Sequence, residues 1–147
     1  MVKDSLKWYQ KAGVPEVVLK RAEEITILIE KFYGIVIEDL FISNIVNEDS
    51  IEYTSLWLFT KEDVVECKHF LTRSDIDIAR YGKNVTYINY LFDDFKSIET
   101  QGSSSNIKLN VSLGQGMKCI LNAVGSNCER LIGIASRFME EYKNTKI

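Results

Sequence analysis

The chain has 147 residues, 46% hydrophobic and 27% charged, the balance of an ordinary globular domain rather than a disordered tail. A chain of this length has room for a real core, burying about 68–70% of its unfolded surface. Net charge is −3 with no clustered basic stretch, which argues against a nucleic-acid-binding surface.

The charge is unevenly spread. Ile35 to Gln101 carries 6 Lys/Arg against 13 Asp/Glu, whereas the segment from Gly102 onward carries 6 basic and 3 acidic residues. No run approaches the ~18 apolar residues of a membrane span. Lys3, Asp4 and Lys7 are followed by no apolar segment with a cleavage site. The expected location is therefore cytoplasmic. Cys67, Cys119 and Cys128 have no short paired spacing and read as small core hydrophobes.

Asp4 to Ala12 is predicted as a short helix, capped by Asp4 and stopped by Gly13. Pro15 opens a second helix over Glu16–Tyr33, at a position where a missing N–H costs nothing. Val18, Ala22, Ile25, Ile29 and Phe32 recur at helical spacing and form its expected buried stripe. Gly34 supplies the left-handed stop.

The period then changes. Ile35 to Val46 is rich in β-branched and aromatic residues and reads as a strand with a bend near Glu38-Asp39. Asn47-Glu48-Asp49-Ser50 is a turn, and Tyr53 to Thr60 is the next strand. Leu56 and Leu58 point one way; Trp57 and Phe59 point the other. A strand apolar on both faces is covered on both, and the N-terminal helix is the expected cover for Trp57 and Phe59. Lys61-Glu62-Asp63 turns the chain into a strand from Val64 to Phe70. Further strands are expected over Asp75–Tyr81 and Val85–Leu91, with a short one marked by Phe95 and Ile98 after an Asp93-Asp94 turn. Gln101 to Asn106 reads as a Gly- and Ser-rich loop.

Ile107, Leu109, Val111 and Leu113 alternate with Lys108, Asn110 and Ser112, the pattern of a half-buried strand. Gly114-Gln115-Gly116 turns the chain, and Met117, Cys119 and Leu121 continue on the return strand. Ser126 and Glu129 have capping-box spacing. Cys128, Leu131, Ala135, Phe138 and Tyr142 then form a helical stripe running to about Lys143.

The fold class is therefore α+β: N-terminal helices, then a curled antiparallel sheet or partly open barrel of about seven strands, closed by a C-terminal amphipathic helix. The Leu56-Trp57-Leu58-Phe59-Thr60 strand with its Lys61-Glu62-Asp63 turn carries a family resemblance. So do the Asp93 to Glu99 segment and the Ile107 to Val124 hairpin leading into the Ser126 to Tyr142 helix. On these residues the chain resembles a pleckstrin-homology-like domain of the bacterial type. The resemblance implies a helical extension over residues 1–34 and a PH-like barrel with its helix over residues 35–147. The competing architecture is a helix-grip fold around a ligand cavity. A helix of roughly 17 residues, ~25 Å long, suits a barrel plug better than a long grip.

The chemistry-bearing residues form no recognisable set. His69 is the single histidine. Two positions from Cys67 on a strand, it would share a face with it, but two ligands do not make a metal site, and a Cys–His catalytic pair meets the same limit. Asp75 and Asp77 read as solvated charges opposite Ile76 and Ile78, although paired carboxylates can run acid–base chemistry or bind calcium. Gly114-Gln115-Gly116 lacks the Lys-Ser/Thr of a phosphate loop. No catalytic, metal or cofactor residue is assigned, and no cofactor is expected.

Many pleckstrin-homology domains bind phosphoinositides through basic residues between their first two strands. Here that loop is Asn47-Glu48-Asp49-Ser50, whose two carboxylates disfavour a phosphorylated headgroup. The resemblance implies a non-enzymatic module with a protein or peptide partner along a sheet edge or beside the final helix. A helix-grip small-ligand domain, or an enzyme with a pocket around His69 or Asp75/Asp77, are the alternatives.

Overall fold

The computed structural model describes residues 2–71, 76–82, 85–94, 105–113 and 117–145. It contains three helices and two antiparallel sheets. The turns at Gly82-Lys83-Asn84 and Gly114-Gln115-Gly116 extend outside the described residues. So do Asp75, the strand expected at Phe95 and Ile98, and most of the Gln101–Asn106 loop.

Helix α1, Val2–Lys11, begins earlier than predicted, so Asp4 lies within its first turn instead of capping it. Gly13 takes a left-handed φ of 91° and stops it, while the Val14 N–H returns to the Tyr9 carbonyl at 3.1 Å. Helix α2, Glu16–Tyr33, has the predicted bounds. Pro15 stands just outside it with an extended ψ of 141°. Its carbonyl accepts the N–H groups of Val18 and Leu19 at 3.0 and 3.3 Å. Gly34 closes the helix at φ 63° and ψ 38°, its N–H returning to Glu30, a conformation that favours a residue without Cβ.

One sheet has the order β1-β2-β3-β4, formed by Asp39–Asn47, Ser50–Phe59, Asp63–Lys68 and Asp77–Gly82. Leu56 stands opposite Cys67 and Leu58 opposite Val65, while Trp57 faces Glu66 and Phe59 faces Val64. The helices meet the Leu56 and Leu58 face. Tyr9, Val18, Ala22, Ile25 and Ile29 form one core with Leu40, Ile42, Leu56, Leu58, Val65, Cys67 and Phe70. This corrects the expectation that the N-terminal helices cover Trp57 and Phe59. Those two are buried on the opposite face together with Phe41 and Val64. Phe32 also departs from its expected place: it is 77% exposed, because Ile29 completes the buried stripe.

Polar contacts lock this layer. The Ile42 N–H donates to the Tyr9 hydroxyl at 2.9 Å, Ser5 donates its hydroxyl to the Asp39 carboxylate, and Arg21 Nε donates to the Phe70 carbonyl at 2.9 Å.

The second sheet has the order β5-β6-β7, from Val85–Asp94, Ser105–Leu113 and Met117–Val124. Asp93 and Asp94 are the last residues of β5, paired with Asn106 and Ser105, so they extend a strand where a turn was expected. Leu109 pairs with Leu121 and Val111 with Cys119, which aligns the alternating apolar residues on one face. Helix α3, Asn127–Thr145, lies on that face in contact with all three strands. Leu109, Val111, Leu131, Ala135 and Phe138 are buried as expected. At the start of α3 the Glu129 N–H donates to the Ser126 backbone carbonyl at 3.2 Å, where the capping-box reading placed the hydroxyl.

β4 and β5 follow each other in sequence but belong to different sheets. Among the described residues no strand pairing closes a barrel. The chain forms two compact units, Met1–Ile42 with Tyr53–Arg80, and Ser43–Glu52 with Tyr81–Ile147. The division passes through β1 and β2.

Candidate interaction site

The acidic loop is a two-residue hairpin turn. Glu48 and Asp49 both have positive φ, 49° and 67°, the signature of a type I′ turn, which matches the twist of flanking strands. Asn47 Nδ2 donates to Glu52 Oε2 at 3.0 Å, and the Ser50 hydroxyl to the Asn47 carbonyl at 2.9 Å. Both turn carboxylates are exposed, so the tip presents negative charge.

His69 and Cys67 do not share a face. β3 ends at Lys68, and His69 turns left-handed at φ 56°, which breaks the strand alternation. Its N–H donates to the Thr54 carbonyl at 3.1 Å, and its side chain is exposed. Cys67 points into the helix-covered core, where burial, aided by the neighbouring Glu66 charge, pushes its thiol pKa up to about 12. Burial also raises Cys128, whose thiol donates to the Ala123 carbonyl at 3.4 Å. Such thiols are poor nucleophiles. Asp77 is exposed on β4. Among the described residues no three His, Cys, Asp or Glu side chains converge as metal ligands. No described helix is long and apolar enough to cross a membrane.

Two features were not visible in the sequence. The first is a cleft of about 410 Å³ lined by Ile35, Val36, Glu38, the Thr60–Asp63 turn and Arg80. The Thr60 hydroxyl accepts the N–H groups of Glu62 and Asp63 at 3.1 and 2.8 Å, fixing the turn. Arg80 Nε donates to Asp63 at 2.7 Å, and the guanidinium carbon lies 5.0 Å from the Tyr33 ring centre. The guanidinium of this cleft is therefore held between a carboxylate and an aromatic ring, and Lys61 is the second cation among its lining residues, beside Glu38 and Glu62.

The second is a pair of side chains on β1 that bond to β7. Ser43 Oγ donates to the Asn122 carbonyl at 3.1 Å and accepts its N–H at 2.8 Å. Asn44 Oδ1 accepts the Val124 N–H at 3.0 Å and Asn127 Nδ2 at 2.8 Å. These side chains occupy the edge of β7. The other edge of this sheet belongs to β5, a ten-residue strand beside α3. On α3, Ile132 and Met139 are exposed apolar side chains, and nothing lies within 4 Å of where a Cβ on Gly133 would stand. A strand edge beside a helix with apolar footholds can receive an extended peptide: main-chain bonds supply affinity and side-chain pockets supply selectivity.

Comparison of the chain with protein-family models, curated proteins and solved structures finds no match.

Proposed function

We propose that the chain is a non-enzymatic interaction module of pleckstrin-homology-like architecture, and that its partner is a protein segment received in extended form along β5 beside α3. The observation that carries this reading is the asymmetry of the second sheet. One edge, β7, is engaged by Ser43 and Asn44, whereas β5 is the opposite edge strand. An edge strand is a template for pairing with another chain. The PH-like part is supported by a four-stranded sheet followed by a three-stranded one and a C-terminal helix across the latter. The non-enzymatic part is supported by the exposed turn position of the chain's one imidazole and by the buried, proton-holding thiol of Cys67. Three buried cysteines, none in a disulfide, accord with a cytoplasmic setting. The acidic tip at Glu48-Asp49 speaks for a protein partner over a phosphorylated lipid.

The test is selection of a random peptide display library on the purified chain, followed by amide hydrogen exchange. Selected peptides should slow exchange in β5 and lose at least tenfold in affinity with Met139→Lys or Ile132→Lys. Peptides that bind while leaving β5 exchange unchanged would refute the site. Turnover of a defined substrate by the pure chain would refute the class.

A further inference from the structure

A flank of α2 beside its buried stripe carries an ordered strip. Val17, Leu28 and Phe32 are 72%, 58% and 77% exposed. At 100° per residue, Val17, Arg21, Glu24, Leu28 and Phe32 fall on one line, with spacings of four, three, four and four. The strip is thus apolar at both ends and charged in its middle, where Arg21 and Glu24 already approach each other at 3.8 Å. The buried stripe of Val18, Ala22, Ile25 and Ile29 lies on a neighbouring side of the helix; within the strip Arg21 also serves the fold, its Nε donating to the Phe70 carbonyl at 2.9 Å while its Nη1 is turned toward Glu24.

We infer that this strip docks a second copy of the same chain, as an antiparallel α2–α2 pair about a twofold axis between Arg21 and Glu24. The sequence order makes the strip complementary to itself. In that register Arg21 of each copy faces Glu24 of the other, and Val17 of each faces Leu28 of the other. Phe32 then reaches the opposite chain's Gly13, which is an open position with nothing within 4 Å of its Cβ site. A two-fold interface requires this reciprocity, residue i meeting j and j meeting i, and an antiparallel helix pair supplies it only if charges of opposite sign are placed symmetrically. A parallel pairing in register would set Arg21 against Arg21 and Glu24 against Glu24. The contact is one face of an 18-residue helix, about 27 Å long. One helix face with three exposed apolar side chains per copy is less than the roughly 20–30 residues a side of a standard interface, so the dimer is weak and concentration-dependent. The surface is separate from β5 and α3, so this inference stands or falls apart from the peptide site.

Sedimentation-velocity runs on the full chain from about 10 µM to about 1 mM test it. The wild type should shift from monomer to dimer across that range. Glu24→Arg and Leu28→Glu should each remain monomeric at the top concentration, with circular dichroism and melting temperature showing that they fold. Arg21→Glu alone should likewise be monomeric, but its equimolar mixture with Glu24→Arg should recover the dimer, since each then presents the opposite sign to the other. A wild type that stays monomeric throughout would overturn the inference. So would a dimer unaffected by Glu24→Arg and Leu28→Glu, which would place the contact elsewhere.

Discussion

Asn44 offers the sharpest test of how the second unit is held together. Its side-chain oxygen accepts two donors, the Val124 N–H at 3.0 Å and Asn127 Nδ2 at 2.8 Å, and both Asn44 and Asn127 are buried. Replacing Asn44 by Ala removes the acceptor and strands both donors. A buried donor left unpaired costs about 1–3 kcal/mol. Because Asn127 makes other interactions that soften its share, the expected loss is about 2–4 kcal/mol. For 147 residues the unfolding entropy is on the order of 0.3 kcal/mol/K, so a loss of about 3 kcal/mol lowers Tm by roughly 10 °C. Urea denaturation followed by tryptophan fluorescence and by far-UV circular dichroism measures it, with an unchanged m-value showing that the native fold persists. Asn127→Ala should overlap with it, the double variant losing at least about 0.5 kcal/mol less than the sum of the singles. An Asn44→Ala loss below about 0.5 kcal/mol, or strict additivity, would refute the view that this residue pins β7 to the start of α3.

Other outcomes follow from the same structure. Phe138, 3% exposed under α3, should cost about 3–5 kcal/mol on substitution by Ala, whereas Met139→Ala on the exposed side should cost under about 1 kcal/mol; chemical denaturation of the pair compares them directly. With the Cys67 pKa near 12, roughly one thiol in ten thousand is ionised at pH 8, so a disulfide reagent should label Cys67 only after urea unfolds the chain. The same shift sets a pH dependence. The raised folded pKa contributes stability that is full below the unfolded value of 9.0 and is lost as pH rises from 9 toward about 12, at about 1.4 kcal/mol per pH unit; denaturation midpoints at pH 8, 9 and 10 read it. Replacing Glu48-Asp49 by Asn-Gly, the preferred pair for a turn with two positive φ angles, should raise stability by about 0.5–1 kcal/mol, measured as the shift in urea midpoint. Phosphoinositide-bearing vesicles should leave the chain in the supernatant on sedimentation, and co-pelleting would contradict the acidic-tip argument.

Periodicity carried most of the local structure, because helix and strand spacings are written directly in side-chain polarity. Val18, Ala22, Ile25 and Ile29 announced α2, and the alternation from Ile107 to Leu113 announced β6. Phe32 was misplaced because a stripe read by spacing does not say where tertiary packing ends, and the left-handed Gly34 turns the chain one residue past Tyr33. The helix-facing side of β2 was not legible either. Leu56 and Leu58 are no more apolar than Trp57 and Phe59, so only the packing of α2 decides between them. His69 misled for a different reason: strand alternation holds only while φ stays extended, and no residue type near it signals the left-handed turn. The Arg80–Asp63 and Asn44–Val124 contacts span 17 and 80 positions, beyond the reach of any local pattern. Asn44 in particular sits in an apolar stretch where its polarity looked incidental.

The division through β1 and β2 has a practical consequence for dissecting the protein. Each compact unit is assembled from two separated stretches of chain, so no single cut separates the two cleanly. A fragment from residue 81 onward would keep β5, β6, β7 and α3 yet lack Ser43 and Asn44, leaving the N–H groups of Asn122 and Val124 on an open strand edge that invites pairing with its own copies. A fragment ending at residue 80 would carry the Ser43 and Asn44 side chains without the β7 groups they bond. The piece from residue 81 onward should therefore precipitate or stay unfolded, whereas the piece ending at residue 80 keeps both stretches of its own unit.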